Sequence, residues 1–261
     1  MKYFEDIQSA NISGKRIESD QPFNFHCHNQ LTCFNQCCRN LNLFLYPYDV
    51  LRLRQCLNIT SDQFIDRYVD IVMRKGHYFP EVLLRMVDDQ NQACSFLTPD
   101  GCRVYTDRPH TCRMFPIEQG AHHNAETDQT EPLYFFRPPE FCQGPKETVQ
   151  FTIDAYMANQ GANQYFPMTL AWAQLRQLFA QDPWGLEGPH GPKAKMAFMA
   201  AYNIDQFKTF MFESSFLKRY HIAAPLKKKL KRSDEALLAF AFEWIKFFVW
   251  GIPSKQIKLK G

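Results

Sequence analysis

Residues 25–39 read FHCHNQLTCFNQCCR and place Cys27, Cys33, Cys37 and Cys38 within twelve residues. Four more cysteines, Cys94, Cys102, Cys112 and Cys142, stand beside turn signals further along. Thiolates bind soft and borderline cations strongly, so this density points to a metal centre around which the chain folds. The spacing is Cys27-x5-Cys33-x3-Cys37-Cys38, then Cys94-x7-Cys102-x9-Cys112, with Cys142 alone. Eight such sulfurs suffice for two four-thiolate sites, or for one cluster with spare thiols. The vicinal pair Cys37-Cys38 is a constraint, because successive side chains diverge in extended backbone. Either the two serve adjacent metals or one is held back.

The bulk of the sequence narrows the setting. Its 261 residues are enough for one large domain or two small ones, and 24 phenylalanines predict a well-packed interior. A formal net charge of +3 is too small to argue for nucleic acid, so no such partner is expected. No basic-then-apolar leader is visible at the start, and residues 237–251, the longest apolar stretch, contain Glu243 and Lys246. The expectation is a cytoplasmic chain with no transmembrane segment, in a compartment where thiols stay reduced.

Turn chemistry places the sulfurs. Pro99-Asp100-Gly101 is a strong turn, so Cys94 and Cys102 can return to one point. Arg108-Pro109 marks a turn before Cys112, and Cys142 sits before Gly144-Pro145. Residues 1–24 read as an irregular lead-in. Leu41, Leu43 and Leu45 alternate as a short extended segment, and Pro47 opens a helix to about Leu57. Cys56, on that helix, reads as a buried apolar residue. Thr60 and Gln63 form a capping box for a helix to about Lys75. Residues 82–87 read as a strand, 119–131 as an exposed polar loop, and 133–137 as a strand. From about residue 146 helical spacing dominates, near 152–160, 167–181, 193–219 and 233–250, with Thr152 and Ser233 as N-caps.

The fold expected is therefore mainly α with a small β and irregular metal-binding core, an α+β arrangement. A cysteine module spans residues 20–145 and a helical region 146–255. No flexible linker separates them, so one continuous domain is the alternative.

Arg39, Arg103 and Arg113 directly follow Cys38, Cys102 and Cys112, and Arg108 is close by. Cationic donors at that offset suit the negative charge of a thiolate site, so these four are expected around the cofactor. His26, His28 and His110 flank the cysteines and are candidate substitutes for a ligand, although single histidines more often have structural roles. Zinc and iron–sulfur centres both use four thiolates. The spacings match neither a paired C-x2-C ribbon nor a ferredoxin run, and no cysteine precedes a proline. A C-x3-C-x2-C pattern starting at Cys33 and Cys37 meets Asn40 at its third position.

The stretches CFNQCCRNLNLFLYPYDVLRLRQCLNITSDQFIDRY, CSFLTPDGCRVYTDRPHTCRMFP and FCQGP resemble the YkgJ-type cysteine-cluster family, a zinc- or iron-chelating domain written CxxCxxCC. The later YNIDQFKTFMFESSFL is similar to the helical extension of longer members, so the resemblance spans most of residues 25–250. It implies that Cys27, Cys33, Cys37, Cys38, Cys94, Cys102, Cys112 and Cys142 are the ligand set, holding zinc or an iron–sulfur cluster. This chain has gaps of five and three residues in the first block where the family pattern has two and two.

Three functional readings follow. One is metal or cluster binding with no assigned activity. A second is a cluster-dependent protein lysine N-methylase, since flagellin lysine methylases resemble the same family. The third is a structural zinc module that presents helices to a protein partner. The glycines at 185, 188 and 191 fall in a proline-broken connection and read as a loop, not a nucleotide site. The basic run 227–232 reads as a solvated connector, with a membrane-surface or acidic-partner patch as the sharper alternative.

Overall fold

Helices begin where the sequence supplies partners for their first N–H groups. Thr152 Oγ1 accepts the N–H of Ala155 at 3.4 Å, and Ser233 Oγ accepts that of Ala236 at 3.1 Å. Pro47 starts the helix Pro47–Cys56, where Asp49 accepts the Tyr46 N–H at 2.9 Å. In the capping box of Ser61–Tyr68, Gln63 accepts the N–H of Thr60 at 3.2 Å. The computed structural model describes residues 1–4, 14–124 and 129–260. It is 44% helical and 18% strand, the strands lying in small sheets, so the α+β class stands. Among the described residues no helix is long and apolar enough to cross a membrane.

The chain forms two units, residues 1–43 with 85–174 and residues 44–84 with 175–261. The boundary expected near residue 146 falls inside the first unit.

In the first unit a four-stranded sheet is built on the hairpin Ile117–Asn124 and Gln129–Phe136. Lys2–Phe4 adds in parallel on one side and Lys15–Ile17 antiparallel on the other. The lead-in expected to be irregular thus contributes two strands to this sheet and a third, Phe23–Asn24, to a separate pair, while residues 5–13 lie outside the described residues. The polar loop expected over 119–131 is also a correction: its described part is strand, with Gln119 and His122 buried, and only 125–128 lie outside the description. Pairing between strands decides this segment, and polar composition does not reveal it. An apolar cluster of Ile17, Phe23, Phe25, Met114, Tyr134 and Tyr156 packs beside the sheet.

In the second unit the helix Asp234–Trp250 buries Leu237, Phe240, Ala241, Trp244 and Ile245. Trp244 stacks on Phe248 at 4.7 Å between centroids and lies near Phe207, Phe210 and Phe216. One charged cluster accompanies this core. Asp234 pairs with Arg54 and, at 2.9 Å, with Lys208, while Asp205 accepts both N–H and O–H of Ser61. The helix expected to reach Lys75 stops at Tyr68, because Val69–Val72 pairs antiparallel with Glu81–Leu84. β-Branched Val69, Ile71 and Val72 suit that hairpin as well as they suit a helical stripe. The basic run is not a connector: Ala224–Arg232 is a helix, with Leu230 buried and Lys228, Lys229, Lys231 and Arg232 exposed. Cys56 is exposed, contrary to its expected burial, because its side of Pro47–Cys56 faces solvent.

Candidate metal centre

All eight cysteines expected as ligands belong to the first unit, and Cys56 belongs to the second. None of the nine, all of them described, forms a disulfide. Four backbone devices bring segments that carry these cysteines toward one another, although among the described residues the groups of three donor atoms within 4.8 Å of one another include none of the eight sulfurs.

The first is the turn after Leu31. Gln36–Cys38 forms one turn of 3-10 helix behind Asn35 at φ 64°. The vicinal pair is therefore not extended, and its sulfurs hydrogen-bond to each other. The second joins the two blocks: the N–H of Cys94 donates to the Cys38 carbonyl at 2.8 Å, and that of Asn40 to Gln92 at 2.9 Å. The third is the tight hairpin of Leu97–Thr98 with Gly101–Cys102, locked by Thr98 Oγ1 donating to the Gly101 carbonyl at 2.8 Å. Gly101 has φ +120°, open to glycine and strained for other residues. The fourth joins the ends of the unit. The Gln143 N–H donates to Cys33 Sγ at 3.2 Å, and the His26 N–H donates to the Gly144 carbonyl at 3.1 Å. Cys112 rides on the short helix His110–Met114.

The electrostatics link the sulfurs into one set. Crowding by protein, followed by the charges of Cys142, Cys33 and Cys38, raises the Cys27 thiol, although the residue is exposed at its outer side. Cys37 is raised strongly, first by its hydrogen bond to Cys38, then by burial, then by Cys38, Cys27 and Cys112. That bond lowers Cys38 to about 7, against burial and with help from Arg39. Burial raises Cys94 to about 11, opposed by the N–H groups of Phe96 and Leu97, with Cys38 and Cys102 adding to the rise. Cys142 is raised by burial and by Cys33, against the Gly144 N–H. Cys33 is the most enclosed, at 8% exposure.

The four arginines divide. Arg39 is exposed and acts on Cys38. Arg103 is exposed, with its guanidinium 5.4 Å from the Phe96 ring centroid. Arg108 is buried and stacks 3.9 Å over Tyr105. Burial lowers its pKa, while Tyr105 and Cys112 oppose that fall. Arg113 is buried as a clamp: it donates to the carbonyls of Arg108, Gln160 and Thr106 and to the Tyr165 hydroxyl, and lies 4.2 Å over that ring. His110 is buried against Gln119, and burial lowers it to about 4.

Sequence reasoning singled out the cysteines but gave no sign of the backbone N–H groups beside them. The N–H groups of Gln143, Gly144, Phe96 and Leu97 carry no side-chain signature. The only available hint was their position one to three residues after a cysteine at a turn.

Residues 26–151 match the family model CxxCxxCC, described as a putative zinc- or iron-chelating domain. Comparison with curated proteins and with solved structures gives no match.

Proposed function

We propose, from the match of residues 26–151 to the CxxCxxCC family model, that Cys27, Cys33, Cys37, Cys38, Cys94, Cys102, Cys112 and Cys142 hold a zinc or iron–sulfur centre. One observation carries the reading: the eight cysteines all lie in one unit, unbridged, on segments tied by the Cys94 N–H to the Cys38 carbonyl and the Gln143 N–H to Cys33 Sγ. Gathering unbridged thiols raises the cost of ionising them, and a bound cation repays that cost. The donor set therefore fits the metals of the family description.

The protein groups divide the work. Arg39, beside Cys38, favours the charged form of that thiol. Backbone N–H groups from Gln143, Gly144, Phe96 and Leu97 stabilise sulfur charge at Cys33, Cys142 and Cys94. Arg113 holds the loop after Val104 against Gln160 and Tyr165, which fixes the approach of Cys112. Zinc would supply a cross-link among the segments, and an iron–sulfur cluster would add electron transfer.

Anaerobic purification of the full chain followed by metal and sulfide analysis tests this. The expected result is stoichiometric zinc, or iron with sulfide and visible charge-transfer bands, greatly reduced in Cys33→Ser and Cys38→Ser. Metal-free protein with native circular dichroism would overturn the proposal.

A further inference from the structure

A second set of donors lies in the same unit. His26, His28 and Glu147 each offer a ligand atom, and all three atoms lie within 4.8 Å of one another. His28 Nε2 is 3.7 Å from a Glu147 carboxylate oxygen, and the two imidazole centroids are 5.0 Å apart.

Two chain segments are zipped together to make this arrangement. Phe23–Asn24 pairs antiparallel with Gln150–Phe151. The pairing continues through the Phe25 N–H to the Val149 carbonyl at 2.9 Å and the His26 N–H to the Gly144 carbonyl at 3.1 Å. Glu147 is held at both ends of its peptide unit. Its N–H donates to the Gly144 carbonyl at 3.2 Å, and its carbonyl accepts Asn24 Nδ2 at 3.2 Å. Gly144 permits the approach, since a Cβ there would lie 2.5 Å from Phe25 Cε2 and 3.2 Å from the His26 carbonyl oxygen.

The histidines and the cysteine between them serve different neighbours. Cys27 is influenced by Cys142, Cys33 and Cys38, whereas His26 and His28 meet Glu147. His26 and His28 flank Cys27 in the segment that follows the strand Phe23–Asn24. Two imidazoles and one carboxylate are the donors of open zinc and ferrous sites. Ligands at about 2.0–2.2 Å from a tetrahedral ion are roughly 3.3 Å apart, so small side-chain rotations close this set. His28 and Glu147 are partly buried and His26 is exposed, leaving a side open for water or a small ligand.

We propose that His26, His28 and Glu147 form a nitrogen- and oxygen-ligated site for a divalent transition ion, separate from the sulfur centre and independent of it. The test titrates Co2+ into tag-free full-length protein whose thiol centre is already loaded, under anaerobic conditions. One further equivalent should bind, with weak ligand-field bands and no growth of thiolate-to-cobalt absorption. His28→Asn and Glu147→Gln should each weaken it by about tenfold or more, as loss of a ligand costs at least what loss of an outer partner does. Circular dichroism and sulfur-bound metal should be unchanged in both variants. Cys33→Ser protein should still take up this equivalent, so failure of the sulfur reading is told apart. Absence of a further equivalent, undiminished binding in both variants, or new thiolate absorption would each overturn the proposal.

Discussion

The two units of this chain hold themselves together differently. The second buries Trp244, Phe64, Phe207, Phe216, Phe240 and Leu53 almost completely and wraps them in helices up to 17 residues long. The first has its own apolar cluster, but its helices are mostly of one or two turns outside Phe166–Leu178, and its strands of two or three residues outside its central hairpin. Its cysteine segments are turns, which bury little apolar surface and gain little from the hydrophobic effect. Small, loop-rich structures of this kind depend on added cross-links, such as disulfides or structural metals. On the reading proposed above, the cross-linking groups would be thiols on the loops themselves. On that reading, a hydrophobic core and a metal-bound thiol set would answer the same entropy problem within one chain.

Stripping metal gives the largest test of this contrast. A structural metal site can contribute on the order of 10 kcal/mol of apparent binding energy. Anaerobic chelation should abolish amide-exchange protection in the cysteine segments 25–43 and 85–145, while the helix Asp234–Trp250 stays protected. Equal loss in both units would break the comparison. In the other direction, Trp244→Ala should cost the second unit about 3–5 kcal/mol by denaturant unfolding, with metal stoichiometry unchanged. Gly144→Ala forces a carbon against Phe25 and should cost the first unit about 1–3 kcal/mol by the same measurement.

Acid supplies a milder test. Burial alone would raise the Asp234 carboxyl, but Lys208 and Arg54 outweigh it and hold the group below its usual range. Its folded pKa is therefore depressed. The stability it contributes is present above the unfolded value of about 3.9 and is lost as pH falls through the lower folded value. Asp234→Asn should cost about 1–2 kcal/mol at neutral pH, discounted for partial solvent exposure, and should flatten the acid limb of second-unit stability. An unchanged acid limb would remove Asp234 from the account. The smallest effects are expected at the caps, one in each unit. Thr152→Ala and Ser233→Ala should each cost about 0.5–1 kcal/mol, read as faster exchange in the first turn of its own helix.

What was legible in the sequence was local. Pro47, Thr60, Thr152 and Ser233 start helices because their effect reaches only three residues ahead. Pro99-Asp100-Gly101 turns the chain for the same reason. The eight cysteines stand out in the sequence by type and density, and their joint role as ligands is the reading proposed above. The rest depends on distant partners. Residues 117–124 look polar, yet they are covered by strands from both sides. Val69–Val72 matches two periodicities, and only Glu81–Leu84 decides between them. The Glu147 carboxylate gains its neighbours from residues more than a hundred positions earlier. No local pattern records such pairings.

The first unit is assembled from two stretches of chain, 1–43 and 85–174, with 44–84 made in between. Cys142, whose neighbours include Cys27 and Cys33, is synthesised 115 residues after Cys27. At translation speeds of roughly 5–20 residues per second, that interval is about 6–23 s. Throughout it the earliest thiols have been made while the segment that encloses them has not. For this protein, the order of synthesis sets a window of exposure to oxidants and to adventitious metals, and a shorter pause between the two stretches would narrow it.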